Sequence, residues 1–212
     1  SSAPPATATL AKRMGVVGTR ADALLVVPEP AAWVAPVLEA LGSAVDVRVY
    51  APWVLPSAVT RFGRGLGFVR RRGGQHLPGA RGHAWFTAGE LLARVVARGK
   101  TAPTLANRVL QRGLVDRLVA LRFARGPAPA LVIAPSFSAR HTFAAARRRG
   151  CTCMLLEDMP DLDGLVDGLD ALSREHPEAA FLQNHRPRAL DHAQQRAERW
   201  QADVIAVRGR VA

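Results

Sequence analysis

Cysteine and lysine are nearly missing from this chain of 212 residues, which holds two of each: Cys151 with Cys153, and Lys12 with Lys100. Two cysteines exclude a disulfide framework. A C-x-C without a second pair is a poor zinc site, because zinc takes about four ligands at spacings such as C-x-x-C. Both thiols are read as core residues of a protein from a reducing compartment. No run of about 18 apolar residues occurs, and the opening SSAPPATATLAKRM has no continuous apolar stretch, so neither a membrane span nor a signal peptide is expected. His76, His83, His176, His185 and His192 lack metal-ligand spacing. The glycines of a dinucleotide-binding turn are also missing, since the first apolar strand runs into PEPAAW. With no G-x-x-x-x-G-K-[ST] either, NAD, FAD and P-loop chemistry are excluded, and neither cofactor nor metal is expected. RNP, KH and zinc-knuckle patterns do not occur, so no specific nucleic acid is expected.

What is present is apolar and basic. Hydrophobic residues make up 49% of the chain, enough for one full core. Twenty-nine Lys and Arg against 17 Asp and Glu leave a net charge of +12, which favours anionic partners. The charge is unevenly spread: residues 1–150 carry +16 and residues 151–212 carry −4, while 61–125 alone carry +12. Within that stretch, RFGRGLGFVRRRGG sets Arg61, Arg64, Arg70, Arg71 and Arg72 among Phe62, Leu66, Phe68 and Val69, as a loop docking on anionic lipid would. An RNA backbone or plain solvation accounts for the same composition.

Short apolar runs alternate with helical patterns, the mark of β-α-β units around a mostly parallel sheet. Strands are expected at 23–27, 45–49, 83–86, 131–133, 153–156 and 204–207, the second half-buried and near an edge. Helices are expected at 33–41, 90–97, 104–124, 138–149, 161–175 and 188–200, with Gly42 and Gly150 as stops. In the long helix 104–124, Leu105, Val109, Leu114, Leu118, Val119 and Leu121 form the inward face and Arg108, Arg112, Arg117 and Arg122 the outward one. The expected fold is α/β, a Rossmann-like doubly wound sheet with helices on both faces, spanning 21–212 behind a flexible tail, 1–20.

Ligands of such sheets bind at the carboxyl ends of the strands. After the fourth expected strand come Ser136, Ser138, Arg140 and His141, where the serines either cap the next helix or help its N–H groups hold a phosphate or sugar hydroxyl. After the fifth come Glu157 and Asp158, which either orient and deprotonate a hydroxyl or form ion pairs with the basic half. Asp161 reads as the N-cap of the helix that follows.

The segments ALLVVPEPAAWVAPVLEALG, PALVIAPSFSARHTFAAARRRG and RAERWQADVIAVRGR together resemble the N-terminal half of retaining nucleotide-sugar glycosyltransferases of the GT-B fold, the family 4-like group. The likeness lies in the order of elements, in the A-x-x-x-G close at Ala146 to Gly150, and in E-x-x-x-A-D at Glu198, Ala202 and Asp203. Arg208 stands where the family usually has serine, and Glu157-Asp158 where it often has histidine. The resemblance implies an acceptor-side domain with Glu157 and Asp158 as catalytic residues and Ser136, Ser138, Arg140 and His141 against a sugar or lipid-linked acceptor. It further implies a nucleotide-sugar donor held by a C-terminal domain absent from this chain, little transfer without that domain, and a cytoplasmic place at the inner face of the cell membrane. The alternative is a non-catalytic basic α/β module that binds RNA or a protein partner.

Overall fold

The computed structural model of the chain describes residues 21–28, 34–41, 45–51, 105–158 and 161–207. In chain order these form β1 (Ala21–Val26), α1 (Val34–Leu41), β2 (Val45–Tyr50), α2 (Leu105–Phe123), β3 (Leu131–Pro135), α3 (Arg140–Arg147), β4 (Thr152–Glu157), α4 (Leu162–Glu175), a 3₁₀ segment (Pro177–His185), α5 (Ala189–Gln201) and β5 (Val204–Val207). The expected tail 1–20, the strand at 83–86, the helix at 90–97 and the arginines 61, 64, 70, 71 and 72 lie outside the described residues. The 3₁₀ segment was not expected from the sequence.

The strands build one sheet in the order β2-β1-β3-β4-β5, and every pairing is parallel. The fold is therefore α/β and Rossmann-like. Its burial follows position. Central β3, LVIAP, is buried at every residue, whereas β2 at the end of the described sheet alternates. Leu24, Val26, Val132, Ala134, Cys153 and Leu155 pack on one face against Val115, Val119 and Phe123 of α2 and Phe143 of α3. Leu25, Val27, Ile133 and Val49 pack on the other against Val34, Val37 and Leu38 of α1. Period-two alternation along each strand is what divides the two cores.

Helix ends follow local chemistry. Gly150 sits at φ 71°, its N–H bonded to Arg147 O while that of Cys151 reaches Ala146 O, a Schellman close that needs the left-handed conformation. Asp161 caps α4 by accepting from Gly164 N–H, as its sequence position suggests. Two expectations are corrected. First, α3 starts at Arg140 and not at Ser138, because Phe137 takes a left-handed φ of 65° and breaks the helical path. Second, the faces of α2 are not divided as leucine in and arginine out. Leu121 is 63% exposed, while Arg112 and Asp116 are buried, because each satisfies hydrogen bonds on neighbouring elements that a leucine would leave open.

Both cysteines are free and buried. The Cys153 thiol is pushed up to about 12, mostly by burial and further by the Asp203 carboxylate, and burial also raises Cys151. Only the thiolate is reactive. Neither cysteine is expected to react with a thiol reagent at about pH 8 in the folded chain, and both are expected to react in denaturant; labelling of either at the rate of a free thiol would contradict this packing.

Candidate functional site

The chain runs outward from β1 to β2 and then returns to β3 on the other side of β1, so the switch point lies between the carboxyl ends of β1 and β3. Beside it the turn Ser136-Phe137-Ser138-Ala139 joins β3 to α3. Ser136 N–H donates to Leu156 O at 3.1 Å, and Ser138 N–H closes the turn on Pro135 O at 3.1 Å. The Phe137 ring is buried with Leu105, Val109 and Leu162. A non-glycine residue at φ 65° is strained, and such strain persists only where the surroundings over-determine it.

The surroundings here are carboxylates. Glu198, fully buried on α5, accepts from Phe137 N–H at 2.7 Å, Ala139 N–H at 3.2 Å and Arg140 N–H at 3.3 Å. Gln194 donates both to Glu198 and to Phe137 O, at 3.1 Å each. From α2, the buried Asp116 accepts from His141 N–H at 2.7 Å and Thr142 N–H at 2.8 Å. The free N–H groups of the α3 start are therefore taken by two of the protein's own acids. The expectation that they hold an external phosphate or sugar hydroxyl is corrected on that ground, and so is serine capping: Ser136 and Ser138 are buried, and Ala139 stands at the N-cap with no side-chain cap. Ser136 Oγ lies 3.5 Å from Leu156 O. Arg140 remains exposed, and His141 faces Arg117 Nε at 3.4 Å.

The mouth of β4 is laced by arginines. Asp158 receives both terminal nitrogens of Arg112, at 3.0 and 2.8 Å, and Arg112 also donates to Ser136 O at 2.8 Å. With side-chain exposures of 3% and 12%, this two-pronged pair is screened from solvent and ties β4 to the β3 turn. Glu157 is bonded to Arg199 of α5 through both its oxygens, and Arg199 reaches on to Asp161 at 2.8 Å. Arg199 holds the Asp161 carboxyl below its ordinary value. Of the alternatives the sequence left open for Glu157 and Asp158, the ion pairs are present, and Arg112 comes from the basic half.

The sequence reasoning missed Glu198 and Asp116 as site-building residues. Each carried a signal: Asp116 lies in register with Leu105, Val109, Val119 and Phe123, and Glu198 follows Asp191 and Gln195 at helical spacing on the buried side of α5. Asp203 completes the E-x-x-x-A-D pattern by accepting from Cys153 N–H at 2.8 Å. Among the described residues, no group of three or more His, Cys, Asp or Glu side chains is placed to hold a metal ion. No helix among them is long and apolar enough to cross a membrane.

No family profile matches this sequence. No curated protein matches it either. Among solved structures, the crystal structure of TcCGT1 in complex with UDP is similar over 74% of this chain, at 15% identity and a TM-score of 0.39. The chain spans about a third of that protein, 32% of its length.

Glu198 generates two predictions. Replacing it by alanine leaves three interior N–H groups unpaired and is expected to cost about 3 kcal/mol in denaturant unfolding, with glutamine costing less. Burial pushes its carboxyl from the ordinary 4.5 up to about 7, against the opposing pull of the Phe137 and Ala139 N–H groups and the Gln194 amide. The folded chain therefore keeps a proton that the unfolded chain releases, and burial shifts Asp116 the same way. Stability from Glu198 is complete below its unfolded value and is lost as pH rises through about 7. Urea unfolding is expected to show the chain more stable at about pH 5 than at about pH 8, by on the order of 2 kcal/mol, with Glu198→Gln flattening the slope. A slope that survives the substitution would place the proton on another group.

Proposed function

We propose that this chain is the acceptor-side domain of a glycosyltransferase that moves a sugar from a nucleotide-sugar donor to a hydroxyl acceptor. The observation that carries the reading is the clamped turn after β3, set at the switch point where sheets of this class bind ligands. Support also comes from the three sequence segments that resemble the GT-B N-terminal half and from their E-x-x-x-A-D acids, which hold that turn and the start of β4.

In this reading, the buried serines, Glu198 and Asp116 give the turn its shape, while the acceptor meets the rim. Asp158, aimed by Arg112, and Glu157, aimed by Arg199, keep lone pairs with which to accept an acceptor hydroxyl. Arg140 and His141, at the head of α3, supply donors. Catalytic assistance is positioning and electrostatic orientation. The donor is bound by a further domain, so this chain alone transfers no sugar.

Titrating the isotope-labelled chain with short alkyl glucosides and mannosides is expected to shift the amide signals of Arg140, His141 and Asp158. Arg140→Ala, at an exposed position, is expected to weaken that binding about fivefold to tenfold with an unchanged unfolding midpoint. Turnover of UDP-glucose or GDP-mannose by this chain alone would overturn the assignment as a half-enzyme. Steep salt-dependent RNA binding without any glycoside response would replace the whole reading with that of a nucleic-acid module.

A further inference from the structure

Once α2 has buried Val109, Arg112, Val115, Asp116, Val119 and Phe123, its outer side is left with Leu110, Leu114, Arg117 and Leu121, and Arg125 continues the line just past its end. Their spacings of four, three, four and four put them on one stripe. Leu110 is 46% exposed and Leu121 63%. A single exposed leucine is ordinary, but leucines lined up between arginines are an amphipathic surface with no partner among the described residues.

The neighbouring helix adds charge. α3 runs parallel to α2: Asp116 meets His141 and Thr142 at one end, and the Arg149 guanidinium lies 5.3 Å from the centre of the Phe123 ring at the other. Residues 105–150 contain nine arginines and one acid, Asp116, which is buried and committed to N–H groups. Arg112 and Arg147 pair with carboxylates of the acidic third. Arg149 spends its donors on the carbonyls of Phe123 and Gly126, which leaves its charge uncancelled. Among the described residues, Arg117, Arg122, Arg125 and Arg148 are exposed and face no carboxylate.

We propose that the outer face of α2, with the end of α3, is a docking surface for an anionic lipid membrane. The leucines enter the boundary between head groups and acyl chains, and the arginines meet lipid phosphates. The exposed leucines favour lipid over nucleic acid: Phe123 and Phe143, the phenylalanines of these two helices, are buried, so no phenyl ring is offered for a base to stack on. Its residues are other than the Arg61 to Arg72 stretch of the sequence, and the proposal stands whether or not the chain belongs to a glycosyltransferase.

The test is co-sedimentation of the whole chain with phosphatidylcholine vesicles, with and without phosphatidylglycerol. Binding is expected only with the anionic lipid and is expected to weaken as salt rises. The double variant Leu110→Ser with Leu121→Ser is expected to reduce binding about tenfold, and so is Arg117→Gln with Arg122→Gln and Arg125→Gln. All five positions are exposed, and unfolding midpoints unchanged from the parent confirm intact folds. A third variant, Arg70→Gln with Arg71→Gln and Arg72→Gln, separates the two basic regions. Loss of binding in that variant with both α2 variants unaffected would overturn the proposal. So would no binding to anionic vesicles, or binding to single-stranded RNA in their place.

Discussion

The Glu198 carboxylate lies in the interior with amide groups around it: the N–H groups of Phe137, Ala139 and Arg140, and the Gln194 side chain. Its oxygens stand at the positive end of α3, where the N–H groups left open by the helix start need acceptors. Around this contact the rest of the ligand-facing edge is arranged. It holds the chain at Phe137 in a left-handed turn, and it places the start of α3 against α2, where Asp116 takes the next two N–H groups. It also anchors α5, whose last turn carries Arg199 to Glu157 and Asp161.

The edge is consequently stiff. Two acids close the start of α3, and two arginines, Arg112 and Arg199, tie the end of β4 to α2 and α5. A buried, two-pronged arginine and carboxylate pair adds little net stability over an apolar pair of the same size, but breaking it strands a buried charge. It therefore fixes one geometry more than it strengthens the fold. That is the property a binding edge requires, since side chains held in place lose less entropy when a ligand arrives.

The strands were legible because their signal is local. The runs at 131–133, 153–156 and 204–207 read as strands from apolar content and bounding turn residues, each within the strand observed, and Gly150 and Asp161 marked helix ends through their own backbone chemistry. The inward face of α2 was not legible from polarity alone. A residue's place there is decided by what lies opposite: Arg112 is drawn in by Asp158 and the Ser136 carbonyl, Asp116 by the bare N–H groups of α3, and Leu121 is left outside because nothing apolar covers it. The helix start after β3 failed as a sequence reading for the same reason. Serines near a helix start signal capping in isolation, yet here an acid 60 residues further on, in α5, reaches the same groups with both its oxygens.

The opposed charges of the two parts of the chain acquire a physical meaning in the structure. Where Arg112 meets Asp158 and Arg147 meets Asp203, the basic part and the acidic third neutralise each other across the β3–β4 region. Acids of the last third are further consumed locally, Asp170 by Arg186 and Asp191 by Arg188. The positive charge of α2 and α3 exceeds what these acids take up: Arg117, Arg122, Arg125 and Arg148 face no carboxylate among the described residues. What is left collects on the outward side of α2 and the end of α3, so the arginines there present one positive surface to an approaching anion. The same burial that commits Asp116 to the α3 N–H groups removes the one acid able to cancel that field from within.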